Sequence, residues 1–253
     1  MKFEVVGAEL DVDRAGSGPV VVQVHGMTSS RASEAAWGFD FGDLAGAHTL
    51  IRYDARGHGQ SSGRQEPQDY CWDNLATDLL SLLEEEQKPV DAIGASMGTA
   101  TILTAAVRRP EVFRRLVLVI PPTAWQTRQA QRGMYEAGAD AIERGEIEAF
   151  LAMLGTVAMP PVLAEKNVTM VPQVSTDLLP SVLRGAARSD LPRPDALAQL
   201  TLPVLLLPWV GDPTHPLSTA ETLAATLPDA RMDVAESAAD VDRWPAVVAG
   251  FLR

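Results

Sequence analysis

Short β-rich runs alternate with stretches of helical period through the first 120 residues of the chain, and that alternation leaves few folds open. Val20–Val24 reads VVVQV, a nearly continuous apolar run of the kind found in strands covered on both faces. Thr49–Tyr53, Val90–Ala95 and Arg115–Ile120 are further predicted strands, and Lys2–Val12 reads as two strands broken near Gly7. Trp72–Gln87 is a predicted helix, because Leu75, Leu79, Leu82 and Leu83 line one face. Thr99–Arg108 is a second. Strand–helix alternation of this kind builds a mainly parallel sheet with right-handed crossovers.

From Pro121 to Leu200 no strand is predicted. Ala130–Arg144, Glu146–Leu154 and Ser175–Arg188 read as helices, with Gly145 breaking the first two. Between the second and third, Met159–Pro172 is looser and carries three prolines. The alternation resumes with Pro203–Trp209 (strand), Leu217–Leu227 (helix), Arg231–Ala235 (strand) and Trp244–Leu252 (helix). The expected organisation is a core domain made of residues 1–120 and 201–253, interrupted by a helical lid, 121–200.

Composition narrows the function classes. The 253 residues are 46% hydrophobic and 21% charged, which suits a folded domain and excludes intrinsic disorder. The net charge of −12 opposes phosphate backbones and anionic lipid, so neither nucleic acid nor a membrane surface is an expected partner. A single cysteine, Cys71, excludes an internal disulfide. With only His25, His48, His58 and His215 beside it, little material is left for a structural zinc site, and no metal is expected. The start, MKFEVVGAELDVD, has no basic region followed by an apolar core, so no signal peptide is expected there. The longest apolar runs, such as Leu116–Ile120 and Leu205–Val210, fall far short of the ~20 residues of a spanning helix. The expected location is the cytoplasm.

The strongest local signal is Gly94-Ala95-Ser96-Met97-Gly98, which follows the strand Val90–Ile93 and opens the helix Thr99–Arg108. A serine between strand and helix, with glycine two residues to either side, is the pattern of a nucleophile elbow. Side chains at the glycine positions would strike neighbouring backbone, and the helix N-terminus behind the serine offers N–H groups and partial positive charge. Taken out of this setting, the five residues are also an ordinary glycine-serine turn.

With these residues the chain resembles the α/β-hydrolase fold family over nearly its whole length. Val24-His25-Gly26-Met27 matches the family's His-Gly turn after its third strand. Tyr53-Asp54-Ala55-Arg56-Gly57-His58-Gly59-Gln60-Ser61 matches its Asp-x-Arg-Gly-x-Gly-x-Ser segment. Ser189-Asp190-Leu191 and Leu202-Pro203-Val204-Leu205 match the return from the lid into the seventh strand. The nearest branch is the small lidded esterase, lactonase and cofactor-free haloperoxidase group. The resemblance implies a doubly wound, mostly parallel eight-stranded sheet with a helical lid inserted after the sixth strand, and no cofactor. It also implies an oxyanion hole formed by the backbone N–H groups of Met27 and Met97, each such donor being worth roughly 3 kcal/mol. Their side chains serve equally as core filler. Asp54, Arg56, His58 and His25 stand where the family uses structural residues, and His48 reads as a surface or core histidine.

By the same resemblance Asp212, in Val210-Gly211-Asp212 after the seventh strand, is the acid of a catalytic triad; the alternative position after the sixth strand holds Pro121 and Pro122. As a bare sequence, Asp212-Pro213 is also a normal helix start. The family's histidine belongs in the loop after the last strand, yet Ala235–Arg243 contains none. A serine without a base is a poor nucleophile. By exclusion His215 is the candidate base, three residues after Asp212. The strands carrying Ser96 and Asp212 would lie two apart, about 10 Å between axes. His215 is otherwise a turn residue ahead of Leu217–Leu227.

The expected activity is hydrolysis of a small, mostly apolar ester, thioester or lactone through an acyl-enzyme on Ser96. Trp125, Met134, Phe150 and Met153 are candidate pocket walls, though packing within the lid accounts for them equally. The alternative, motivated by the missing histidine, is a non-hydrolytic protein of the same fold: a lyase-like or cyclase-like enzyme, or a small-molecule-binding scaffold. The expected partners are a small-molecule substrate and, at most, a second copy of the chain in a homodimer.

Overall fold

The computed structural model describes residues 1–36, 39–86, 89–148, 151–152, 160–166 and 171–253. Among them, eight strands form one sheet: β1 (Lys2–Val5), β2 (Ala8–Gly16), β3 (Val20–Val24), β4 (Thr49–Tyr53), β5 (Val90–Ala95), β6 (Phe113–Val119), β7 (Val204–Leu207) and β8 (Ala230–Met232). Their order is β1-β2-β4-β3-β5-β6-β7-β8. β2 pairs antiparallel with both β1 and β4, and all other neighbours are parallel. The helices are α1 (Arg31–Ala36), α2 (Trp72–Leu82), α3 (Met97–Arg108), α4 (Arg128–Glu143), α5 (Pro161–Lys166), α6 (Leu179–Ala187), α7 (Pro194–Leu197), α8 (Leu217–Thr226) and α9 (Ala238–Phe251). No helix among the described residues is long and apolar enough to cross a membrane.

The period of two along each strand splits the core between the faces of the sheet. Val22, Ala92, Leu116, Leu118, Val204 and Leu206 join one cluster, closed by residues of α2, α3 and α8. Val21, Ile93, Val117, Val119, Leu205 and Leu207 join the other, closed by Phe39, Phe41 and the Trp244 face of α9. Each fully buried Val or Leu contributes roughly 1.5–3 kcal/mol relative to an exposed one. Gln23 is the polar residue inside the VVVQV run; its Nε2 donates to the Phe39 carbonyl at 3.0 Å.

Several predicted boundaries move, among them those of α2, α9 and β8. Helix α2 stops at Leu82, short of the predicted Gln87, because Glu84, Glu85 and Glu86 would load the negative end of the helix dipole with three more negative charges. Helix α9 starts at Ala238 rather than Trp244. Ser237 and Asp240 form a reciprocal capping box, with Ser237 N–H donating to Asp240 Oδ2 at 2.9 Å and Asp240 N–H to Ser237 Oγ at 3.3 Å. Two thirds of the predicted loop Ala235–Arg243 is therefore helix. Strand β8 is shorter than Arg231–Ala235, although Ala235 still bridges to Trp209 in parallel fashion.

The chain between β6 and β7 supplies α4 to α7 and, among the described residues, adds no strand to the sheet. The predicted helix Glu146–Leu154 lies partly outside the described residues. The second half of this excursion returns to the core at Gln173, among other points: Gly59 N–H donates to Gln173 O at 2.7 Å, and Gln173 N–H donates to Thr28 O at 2.8 Å.

Candidate active site

Register decides what gathers at the carboxyl edge of the sheet. Val24 of β3 pairs with Gly94 of β5, Ala95 pairs with Val119 of β6, and Val119 pairs with Leu207 of β7. The chains leaving β3, β5 and β7 therefore emerge side by side, carrying His25–Met27, Ser96 and Trp209–His215. Ser96 itself has φ 50° and ψ −109°, a conformation that costs a non-glycine residue on the order of 1–3 kcal/mol. The surroundings hold it there. Ser96 N–H donates to Val119 O at 3.0 Å, and Thr99 Oγ1 donates to Gly94 O at 2.8 Å across the turn. Both motif glycines are sterically required: a Cβ on Gly98 would lie 2.1 Å from Val24 O, and one on Gly94 would lie 2.5 Å from the Gly98 carbonyl.

Ser96, His215 and Asp212 form one hydrogen-bonded line. His215 Nε2 is 2.7 Å from Ser96 Oγ, and His215 Nδ1 is 2.7 Å from Asp212 Oδ2. With the Nδ1 proton donated to the carboxylate, the neutral ring keeps its Nε2 lone pair for the serine hydroxyl. Asp212 caps no helix, since α8 begins at Leu217 with Pro216 at its cap. Its Oδ1 instead accepts Thr214 N–H at 2.8 Å and Thr214 Oγ1–H at 2.7 Å. The Thr214 hydroxyl then turns its lone pairs to His215 Nδ1 at 3.0 Å. Burial pushes the Asp212 carboxyl upward, but the charge interaction with His215 and the hydrogen bonds from His215 and Thr214 outweigh it and hold the group well below the usual carboxylate range.

Two contacts here have no precursor in the sequence reading. Trp209 Nε1–H donates to Asp212 Oδ2 at 2.8 Å, on the same oxygen that receives His215. The general rule that a buried indole N–H finds a partner was the available signal, since a tryptophan three residues before a candidate acid has few other acceptors in reach. Glu34 is the second: its Oε1 accepts Gly26 N–H at 2.6 Å, inside the His-Gly turn.

The Met27 and Met97 N–H groups make no hydrogen bond among the described residues. A Cβ placed on Gly26 would be 3.5 Å from Ser96 Cβ, so the His-Gly turn abuts the serine. The Met97 side chain is buried in the sheet core, and Met27 packs both on that core and on an apolar cluster containing Tyr135, Ile142 and Leu183 of the excursion. Trp125 is anchored elsewhere, its backbone N–H on Asp190 Oδ1 at 2.8 Å and its indole N–H on Pro192 O at 3.2 Å. Met134 is half-buried on α4, its sulfur facing Gln131 Nε2. Phe150 and Met153 lie outside the described residues.

The remaining histidines and the acidic turn are engaged in scaffolding. His25 Nδ1–H donates to Gly26 O and its Nε2 accepts Ala55 N–H, both at 2.8 Å. Asp54 accepts Arg31 N–H and Gln60 N–H. Arg56 is bidentate on Asp78 at 2.7 and 2.6 Å, and His58 Nδ1–H donates to Arg56 O at 2.8 Å. His48 is buried beside the Leu44 carbonyl. Among the described residues no group of three or more His, Cys, Asp or Glu side chains is placed to hold a metal ion.

Comparison with known proteins gives a family match and several relatives. Residues 21–249 match the model of the alpha/beta hydrolase family. The chain is 31% identical over 115 residues to the 2-hydroxymuconate semialdehyde hydrolase of Pseudomonas sp. (strain CF600), a match covering 45% of this chain and 40% of that protein. It is 29% identical to the 2-(acetamidomethylene)succinate hydrolase of Mesorhizobium japonicum, covering 86% of this chain and 78% of the other. In three dimensions it resembles the enol-lactonase of Burkholderia xenovorans LB400, with a TM-score of 0.79 at 18% identity over 100% of this chain and 99% of that one. The first curated relatives are thus matched over only about two fifths of their length.

Proposed function

The chain belongs to the alpha/beta hydrolase family, and on that premise we propose that it is a serine hydrolase acting through an acyl-enzyme on Ser96. The observation that carries this is the line from Ser96 Oγ through His215 to Asp212, with both links at 2.7 Å. Ser96 Oγ attacks the substrate carbonyl while His215 Nε2 takes its proton. Asp212 holds the ring in the required tautomer and stabilises the imidazolium that forms. The Met27 and Met97 N–H groups receive the oxyanion. His215 then returns the proton to the leaving group, and a water activated by the same ring releases the acid.

The histidine has moved from the loop after β8 into the acid's own loop, and triads are defined by geometry and role rather than chain order. That placement supports the hydrolase over a non-hydrolytic scaffold. The substrate class is a small, mostly apolar ester, thioester or lactone, with residues 121–200 acting as the lid that sets its size. Met27, which packs on both the sheet core and the excursion, supports an apolar site roofed by that segment.

A fluorophosphonate probe tests the reading directly. It should label the folded protein at Ser96, and peptide mass mapping should place the adduct there. Ser96→Ala should abolish both labelling and turnover of a short-chain aryl ester without moving the thermal midpoint appreciably. His215→Gln should slow acylation on the order of 10²–10⁴-fold. A folded wild-type protein that neither labels nor turns over any such ester would overturn the assignment.

A further inference from the structure

A carboxyl group lies behind the oxyanion turn and takes no part in the chemistry described so far. Glu34, on α1, is 2% exposed, and it has no ion pair to Lys, Arg or His among the described residues. Its Oε1 accepts Gly26 N–H at 2.6 Å, and its Oε2 is 3.5 Å from Gln23 Nε2. The same glycine faces the nucleophile: a Cβ at Gly26 would stand 3.5 Å from Ser96 Cβ and 3.6 Å from Glu34 Oε1.

Gly26 sits between two peptide groups, and each is gripped. On its carbonyl side, Gly26 O accepts His25 Nδ1–H at 2.8 Å and Ser29 N–H at 3.2 Å. That carbonyl shares its peptide plane with Met27 N–H, so the His25 and Ser29 contacts fix the plane. On the amino side the Glu34 carboxyl is the sole acceptor for Gly26 N–H among the described residues. A glycine held on one side only would rotate freely about φ and ψ. Held on both, it aims Met27 N–H in one direction.

We propose that Glu34 is a positioning residue of the oxyanion hole, fixing the direction of Met27 N–H through its hydrogen bond from Gly26. The proposal rests on Ser96 being the nucleophile. It also has a pH signature. Burial pushes the Glu34 carboxyl up to about 8, against smaller lowering by Gly26 N–H and Gln23. The groups around it do not offset its charge. His25, just after β3, is pulled down to about 4 by burial and stays neutral, as does His58 behind it at about 3. Arg31, on the same helix, is committed to Asp11 and Asp54. Below about pH 8 the acid is neutral, and above it a carboxylate stands one peptide away from the developing oxyanion. Activity should therefore fall as pH rises through that value.

The test compares Glu34→Gln and Glu34→Ala with wild type. The readouts are fluorophosphonate labelling rate, kcat and KM on a short-chain aryl ester from pH 6 to 10, and a thermal melt. Loss of the acceptor in the alanine variant should lower kcat and labelling about 10- to 100-fold, less than the roughly 10²–10³-fold for an oxyanion donor removed outright because Met27 N–H is misaimed and not deleted, while KM moves little. Glutamine keeps an amide oxygen at the same reach and cannot ionise. It should restore most of the lost kcat at pH 7 and abolish the alkaline fall. An alanine variant with wild-type kcat, or a glutamine variant with the wild-type alkaline limb, overturns the proposal; if alanine prevents folding, the glutamine pH profile alone decides. Failure of the wild-type Ser96 to label is a separate result, which removes the hydrolase reading and this proposal with it.

Discussion

Asp212 Oδ2 receives two N–H donors, the ring of His215 and the indole of Trp209. A carboxylate pinned by the indole and by Thr214 cannot rotate away from a histidine only three residues further on, and this lets a short loop hold Asp212 and His215 together. Trp209 is itself held by stacking, with ring centroids 5.7 Å from Phe39 and 6.5 Å from Trp244. Trp209→Phe keeps the stack and deletes the donor. It should lower kcat about 10- to 150-fold, as expected for removal of a hydrogen bond to a charged group, while KM stays within about twofold. Steady-state kinetics on an aryl ester check this, and an unchanged kcat would mean the indole only fills space. The histidine now lies edge-on to Trp209, with ring centroids 6.3 Å apart.

Glycine shows, at the scale of elements, how one residue type can be forced in one place and free in another. Gly98 opens α3 against β3, where a Cβ would meet the Val24 carbonyl at 2.1 Å. Backbone cannot yield there without tearing the strand from the elbow. Gly98→Ala should cost roughly 3 kcal/mol or more and lower the thermal midpoint by many degrees. Gly133 lies in the interior of α4, and a Cβ there would meet nothing within 4 Å. Gly133→Ala should stabilise by about 0.5–1 kcal/mol, because alanine loses less backbone entropy in a helix. Paired thermal melts of the two variants should move in opposite directions. A neutral Gly98→Ala would refute the steric account of the elbow.

Across the whole molecule, the excursion between β6 and β7 is joined to the core by a buried cation. Arg128, 1% exposed, donates to Thr123 Oγ1 at 3.2 Å near the start of the excursion and to Ala186 O and Ser189 O at 2.6 and 3.1 Å near its end. Its guanidinium lies 4.3 Å from the ring of Trp72, on α2, and 5.3 Å from that of Tyr135, on α4. Burial pulls its pKa down, and carbonyl oxygens and ring faces take the place of a carboxylate partner. Arg128→Leu would leave the Ser189 carbonyl without its donor and the Ala186 carbonyl with backbone N–H alone, and should cost about 2–4 kcal/mol. Limited proteolysis should then cut within 121–200 before the sheet is attacked, giving a ladder that wild type lacks. Uniform resistance in both proteins would show that the excursion is held by its apolar packing alone. The loop carrying Asp212 and His215 is fastened to the same region through Thr123 N–H, which donates to Thr214 O at 3.1 Å.

Local sequence determined most of the fold, because each strand announces itself by a local pattern: VVVQV, the apolar run into Gly94, and the period-two alternation that divides Val21 from Val22. The elbow was legible for the same reason, its glycines being dictated by contacts within and next to one turn. The capping box that starts α9 at Ser237 was equally local but was hidden under an expectation of loop. Only the tertiary structure decided the rest. Sequence ranked His215 as a base by elimination, whereas its approach to Ser96 depends on β5 and β7 ending level across β6, a property of register between Ala95 and Leu207, far apart in the chain. The partners of Asp212 and Gly26 depend in the same way on packing: an indole turned inward by an aromatic stack, and a glutamate carried under the turn by a short helix. Such contacts are set by which side chains the closed core brings within hydrogen-bond reach, and no local period in the chain encodes that.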